Sequence, residues 1–488
     1  MNLPVGLPIT AEDWEKTPPS VQALVITLWE ENQILKAQVS RLQTQVETLQ
    51  GDVKRLNERL DKNSQNSSKP PSSDPPQTPK YPKAELSGEK KGGRKGHHGH
   101  GRKLKPPDQI SRIVKSVPSI CKDCGAVLKG EDVRPERHQV SELPKIVPEI
   151  VEYQRHTLNC EVCGTKNRAE WPKEMPKGSF GARLQGMIGY LGGRFGISHR
   201  DMVELMETVF EVEISLGSIP AQQQRVSLAL KEPVEAAQKH VQNQTSVNMD
   251  ETGWFEMAKD FWLWVCTTPD VSVFRIFDSR SGSGAKTLLG ENYSGIVGTD
   301  RFSGYAWMDP SHRQICWAHL KRDFQALVER GDESKVVGQM LLCRLKTFFG
   351  FWHRFREGVL SRLDLQTVMQ PIREEVHNLL EIGTLLGHKE TRRTCQNILK
   401  VKQALWTFVD QEGVEPTNNA AERALRRGVI WRKHSFGTQS KVGTVFVERI
   451  LTTVMTLRQQ KRNVLEYLTS ACRAVVQGIP VPSLLPLG

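Results

Sequence analysis

TSVNMDETGW, residues 245–254, opens the part of the chain whose reading decides the fold. It reads as a strand, and FWLWVCTTPD (261–270) and VFRIFDSR (273–280) read as two more. GAKTLLG (284–290) reads as a short helix, and SGIVGTDRFSGY (294–305) and RQICWAHLKRDF (313–324) return to strand patterns. Three antiparallel-type strands, a helix and a further strand are the order expected of a ribonuclease H-like core. Asp250 is expected to end the first apolar strand and Asp300 the fourth, after IVGT. Strand ends at a sheet edge lie near one another in such a core, so carboxylates 50 residues apart can share metal ions.

A third acid comes from EPTNNAAERALRRGVIWRK (415–433), which supplies Glu422. Other readings exist for each acid: Asn419 as a helix N-cap with Glu422 its N3 partner, Asp300 as the start of an Asx-turn, Asp250 as a hairpin residue. The ensemble favours chemistry. Two Mg²⁺ ions, or Mn²⁺ in their place, need a small set of oxygen ligands to drive in-line attack on a phosphodiester, and Asp, Asp and Glu suffice. Arg423, Arg426 and Arg427 follow Glu422 on the same helix, as a basic face for phosphate or simply a solvated one.

Outward from this core, 121 residues separate Asp300 from Glu422, more than a bare core needs. The excess, about 330–412, reads as an all-helical insertion, with Trp352 and Trp406 either stacking on DNA bases or buried in its core. Upstream, 178–240 reads as three helices, compatible with a helix-turn-helix DNA reader or with a helical support for the next domain. Before that, residues 111–175 carry CKDCG and CEVCG. Cys121, Cys124, Cys160 and Cys163 are expected to bind one structural Zn²⁺, with the 35 residues between the pairs folding back to join them.

The N-terminal part is different in kind. Leu28, Leu35, Leu42, Leu49 and Leu56 repeat every seven residues, and Val25, Asn32, Val39, Val46 and Val53 stand three before them. Valine at a with leucine at d favours a parallel dimer, and Asn32 fixes its register, so a homodimer or higher oligomer through a coiled coil over 20–60 is expected. DKNSQNSSKPPSSDPPQ (61–77) has no aliphatic or aromatic side chain and is expected to be a disordered spacer. KKGGRKGHHGHGRKLK (90–105) has seven Lys or Arg and no acid. It reads as a phosphate-binding arm in which Arg94, Lys95, Arg102 and Lys103 contact DNA.

A net charge of +12 and a pI near 9.2 agree with a polyanionic partner, nucleic acid first. No run of about 18 apolar residues and no cleavable signal is evident, so a cytoplasmic, nucleoid-associated protein without a membrane partner is expected. The fold class expected is multidomain α+β: coiled coil, zinc-ribbon-like module, helical DNA-binding region, and a ribonuclease H-like core over 241–475 with its helical insertion.

These motifs together resemble the insertion sequence 66 family of bacterial DDE transposases over nearly the whole chain. The heptad helix followed by DKNSQNSSKPPSSD, then GGRKGHHGHGR, CKDCG, CEVCG, MDETGW, GTDRFSGY, CWAHLKRDF and NNAAERALR all match. The resemblance implies a catalytic triad of Asp250, Asp300 and Glu422, and a supporting role for Cys316 and His319, which fit the family's Cys-x-x-His signature. It also implies binding to transposon ends and target DNA, strand cleavage and transfer, and small accessory transposition proteins as partners. Where that family commonly has Arg-Pro, this chain has Arg426-Arg427, so the helix is expected to continue. Two other functions stay open: a structure-specific nuclease on the same core, and a non-catalytic zinc-containing DNA-binding regulator, against which the presence of all three acids argues.

Overall fold

A computed structural model describes residues 2–64, 67–69, 74 and 103–486. In chain order the helices begin with α1 (Ala11–Glu15) and α2 (Pro19–Leu60), and a small hairpin follows, β1 (Thr157–Asn159) with β2 (Lys166–Arg168). Then come α3 (Ala182–Tyr190), which runs into a π-helical turn (Leu191–Phe195), α4 (His199–Phe210), α5 (Ser218–Ala229) and α6 (Lys231–Gln242). The sheet region is β3 (Ser246–Glu256), β4 (Lys259–Thr267), β5 (Ser272–Phe277), α7 (Gly282–Leu289), β6 (Ile296–Thr299) and β7 (Arg313–Ile315). Helices complete the chain: α8 (Trp317–Arg330), α9 (Asp332–Arg356), α10 (Arg362–Leu385), α11 (Lys389–Leu399), α12 (Thr407–Asp410), α13 (Asn419–Ser435), α14 (Lys441–Gln459) and α15 (Val464–Gln477). Among the described residues no helix is long and apolar enough to cross a membrane.

The chain forms two compact units: Met1–Pro82 with Ala318–Lys400, and Lys83–Trp317 with Val401–Gly488. In the first, α2 is one unbroken helix of 42 residues, about 63 Å long at 1.5 Å per residue. The insertion in this unit is helical. Val337, Leu341, Leu345, Phe348 and Trp352 recur at helical spacing along α9, and Leu365, Met369, Ile372 and Val376 do so along α10. α10 starts at a capping box, Ser361 with Asp364. Trp352 is buried in this unit's core, and Trp406, in the other unit, is buried against Trp317 with ring centroids 4.8 Å apart.

A few residues of the polar stretch after α2 have polar partners. Ser68 donates its N–H and hydroxyl to the Glu329 carboxylate (2.5 and 3.1 Å), Lys62 approaches the same group at 3.7 Å, and Asp74 accepts the Ser64 N–H at 2.7 Å. These contacts are charged or polar rather than apolar. The remainder of 61–77 lies outside the described residues.

In the second unit a mixed five-stranded sheet has the order β5-β4-β3-β6-β7, antiparallel from β5 to β3 and parallel from β3 to β7. Strand alternation sends Val247, Met249, Trp264 and Cys266 to one face, against α6 and α7. Trp254, Leu263, Val265 and Phe274 go to the other, against α13 and α14. Each such side chain, fully buried, contributes about 1.5–3 kcal/mol. The helices of 178–240 pack on this framework: α5 lies against α3, α14 and α15, sharing a core with Ile450, Val454, Tyr467 and Leu468. The face α5 leaves exposed carries Pro220, Ala221, Gln224 and Leu228, with the half-buried Arg225 beside them.

α13 is fastened to β3 at both ends. The Asn418 side-chain amide donates to Met249 O at 2.6 Å. Beyond the C-terminus, Thr438 N–H donates to Phe255 O and Met257 N–H to Thr438 O, both at 2.9 Å. Gly437 makes that second clamp: its φ is +90°, and a Cβ there would stand 2.1 Å from Phe255 O. Gly437→Ala should therefore cost about 2–4 kcal/mol, from left-handed strain plus overpacking. Urea unfolding measures it, and an unchanged midpoint contradicts the clamp.

Candidate catalytic carboxylates

The parallel pairing of β3 with β6 sets the site. Its register is Ser246 with Ile296, Val247 with Val297 and Asn248 with Gly298. Two residues further on, the same register places Asp250 beside Asp300, and paired residues of a ladder point to the same face. That face is the one covered by α13, whose first turn carries Glu422. Asp250 therefore does not end its strand. β3 continues to Glu256 because β4 pairs with it from Asn248 onward, Asp250 opposite Val265, and only the β6 partnership stops at Asn248.

The acids feel one another. Burial first, then the negative charges of Glu251, Asp300 and Glu422, hold the Asp250 carboxyl well above the usual carboxylate range. Asp250 Oδ1 accepts the Glu251 N–H (3.0 Å), and Asp300 Oδ1 accepts the Phe302 N–H (2.9 Å). The Asx-turn at Asp300 is thus real, and it fixes the carboxylate beside Asp250 while Oδ2 of each acid keeps its lone pairs. Among the described residues the oxygens of the three acids do not all lie within 4.8 Å of one another, so a hard divalent cation held by all three would have to draw them in, offsetting their mutual repulsion.

The helix cap differs from the sequence expectation. The N-cap position is Asn418, not Asn419, and it makes no side-chain cap bond. Its amide is spent on Met249 O, next to Asp250, and its N–H donates to Cys316 Sγ at 3.1 Å. Cys316 is buried, and its own N–H donates to Thr299 O (2.8 Å), beside Asp300. One cysteine thus joins the end of β6 to the start of the Glu422 helix. His319 lies on the first turn of α8, half-buried, in the other unit. α13 runs unbroken past Arg426-Arg427 to Ser435, as their lack of proline dictates.

Glu251, Arg280, Tyr305 and Arg313 were not singled out by sequence reasoning. Glu251 points to the face opposite Asp250 and is buried. Arg280 gives it Nε and Nη2 (3.0 and 2.8 Å), and the Tyr305 hydroxyl donates to its other oxygen at 2.7 Å. Burial raises the Glu251 carboxyl, and the Tyr305 and Arg280 bonds pull it back. Arg280 in turn lies 3.9 Å from the centroid of the Phe302 ring. Arg313 Nη2 donates to Thr299 Oγ1 and Asp300 O (3.0 and 3.1 Å). These bonds tie β3 at Glu251 to the segment that follows Asp300. The acid after Asp250 in MDETGW was the available signal.

Other expected residues fall as follows. Arg423 and Arg426 are exposed on α13, and Lys103 is exposed, whereas Arg94, Lys95 and Arg102 lie outside the described residues. The two Cys-x-x-Cys-Gly turns are alike: Gly125 N–H donates to Cys121 O (3.1 Å) and Gly164 N–H to Cys160 O (2.8 Å), with φ of +72° and +71° at the glycines. The N–H groups of Cys124 and Asp123 lower the Cys121 thiol, and the hydroxyl and N–H of Thr165 lower Cys163. Each turn thus favours thiolate, yet the pairs are not joined, since no three of the four sulfurs come within 4.8 Å of one another. Leu28, Leu35, Leu42, Leu49 and Leu56 are each more than half exposed along α2, and Asn32 is exposed with them.

A mixed sheet of this order, with two aspartates side by side and a glutamate on the covering helix, is consistent with the ribonuclease H-like core of DDE transposases. Residues 177–445 match the transposase IS66 family, over half of the chain, and the protein belongs to that family. Residues 16–103 match a second family, of unknown function. Among curated proteins the chain is similar to the uncharacterized protein y4hP of Sinorhizobium fredii (strain NBRC 101917 / NGR234), 24% identical over 395 residues that cover 72% of this chain and 70% of that one. It is also similar to the uncharacterized protein y4qI of the same organism, 26% identical over 255 residues, 46% of each chain.

Tyr305→Phe should leave a buried Glu251 oxygen without its donor, at a cost of about 1–3 kcal/mol in chemical denaturation. A value near zero would mean that the hydroxyl holds nothing together.

Proposed function

We propose that the protein binds the terminal inverted repeats of an insertion sequence, cleaves a phosphodiester there and joins the freed 3′-hydroxyl to target DNA. The observation that carries this reading is the register of β3 and β6, which sets Asp250 beside Asp300 on the face where α13 carries Glu422. In this reading Asp250, Asp300 and Glu422 hold two divalent cations, Mg²⁺ or Mn²⁺. Bound there, the cations would supply an activated water or 3′-hydroxyl and stabilise the leaving oxygen. The chain's own part is to fix the acids. Asn418 holds the helix to β3, Cys316 accepts from the helix start, and Glu251 with Arg280 and Tyr305 braces the strand from behind.

Arg423 and Arg426, exposed one and four residues after Glu422, suit the phosphates that flank the cut, and the basic arm with Lys103 suits the backbone further away. The four cysteines supply the donor set of a structural zinc site as two preformed halves, and metal binding would have to draw the halves together. The exposed leucine seam of α2 fits a second copy of the chain in parallel, with Val at a, Leu at d and Asn32 setting register. Two protomers are what joining two DNA ends in concert requires.

Asp250→Asn, Asp300→Asn and Glu422→Gln should each abolish Mg²⁺-dependent cleavage and strand transfer of terminal DNA while duplex binding persists. Cleavage that survives all three changes sinks the assignment, and cleavage without joined products favours a nuclease. Replacing Leu35 and Leu42 together by lysine should turn the dimer into a monomer in light scattering, and a dimer that persists rules out the seam.

A further inference from the structure

Arg427 does not share the solvated face of its neighbours. It lies half-buried against the π-helical turn Leu191–Phe195, where its Nε donates to Gly193 O at 3.4 Å. The close approach requires glycine at two positions: a Cβ on Gly193 would stand 2.2 Å from Ile450 Cγ1, and one on Gly196, just after the turn, would stand 2.8 Å from Arg427 Nη2. The same turn contributes Arg194, half-buried, with its guanidinium carbon 5.6 Å from the centroid of the Phe195 ring.

Two cations have thus been packed together without a counter-charge. Arg427 Nη2 and Arg194 Nε are both buried, and neither has a hydrogen-bond partner among the described residues. Burial, then repulsion from Arg194, lowers the Arg427 pKa. Removing charge and N–H groups from water without partners is costly, and folding alone does not require it here. An anion would supply the missing acceptor and neutralise both charges at once.

We propose that Arg194 and Arg427 form an anion notch that takes a backbone phosphate of bound DNA. Guanidinium forks match phosphate geometry. Arg427 lies five residues after Glu422, about 7.5 Å along the helix axis and about 140° around it, so the phosphate held would belong to DNA backbone passing beside the helix that carries Glu422 rather than to the scissile group. This rests on the reading that DNA is the substrate, and it assigns the π-helical turn a job: to bring a second arginine to the helix that carries Glu422.

The test is binding of a labelled duplex to the full chain across a KCl series, for the wild type, Arg194→Gln, Arg427→Gln and the two lysine replacements. Each glutamine variant should flatten the slope of log affinity against log salt by about 0.9, the effect of one lost phosphate contact, on duplexes of any sequence. The lysine variants should restore most of the slope, and free Arg194→Gln should melt no lower than the wild type because a repulsion has been removed. A wild type that binds no duplex takes down the DNA reading and the notch together. A wild type that binds, with glutamine variants on the same slope, removes the notch alone. Inorganic phosphate that raises the melting temperature of the wild type but not of the variants, while the DNA slopes stay equal, would assign the notch to a free anion and overturn the proposal.

Discussion

Everything at the site depends on three backbone pairings between β3 and β6. A parallel ladder whose last pair is Asn248 with Gly298 leaves Asp250 and Asp300 as the next same-face neighbours, just where the pairing stops. A slip of one residue would turn one acid to the α6–α7 face and separate the pair. The fold defends this register from both sides. Below the sheet, Glu251 is held by Arg280 and Tyr305; above it, Asn418 bonds to Met249 O and to Cys316, whose N–H reaches Thr299.

The electrostatics follow from that geometry. Glu251 and Asp250 are adjacent in sequence but lie on opposite faces, so one can be neutralised by protein while the other stays available. Glu251 receives an arginine and a phenol, and Asp250 receives one N–H and the repulsion of its neighbours. A protein that needed only stability would gain from pairing Asp250 as well, since buried charge without a partner is expensive. Setting Asp250 beside Asp300 costs stability, a cost that a bound cation would offset. The arginine pair at the π-helical turn repeats the pattern with the sign reversed.

Much of this was legible in the sequence. The strand patterns gave three antiparallel-type strands, a helix and a further strand, and the two aspartates and Glu422 stood out by their position in that order. Asp250 was misplaced at a strand end because the polar run DET looks like a break. The strand continues there because Trp262 and Trp264 on β4 pair with it whatever the polarity of alternate side chains. Glu251, visible as the acid after Asp250, was passed over for a related reason: a charge at an alternating position reads as solvent-facing, and its partners lie 29 and 54 residues away. The tethers from Lys62 and Ser68 to Glu329 were hidden likewise, because composition weighs apolar burial and is blind to a polar anchor more than 250 residues distant. The two cysteine turns were readable as turns, and their closure into one site was not, since spacing says nothing about how the 35 residues between them run.

If Asp250, Asp300 and Glu422 hold divalent cations, manganese binding followed by electron paramagnetic resonance will show it. The wild type bound to terminal DNA should take up two Mn²⁺ ions showing the exchange coupling of a pair about 3.5–4 Å apart, and Asp300→Asn should abolish the coupling. Mn²⁺ uptake that is the same in the wild type and in Asp250→Asn, Asp300→Asn and Glu422→Gln would contradict the account.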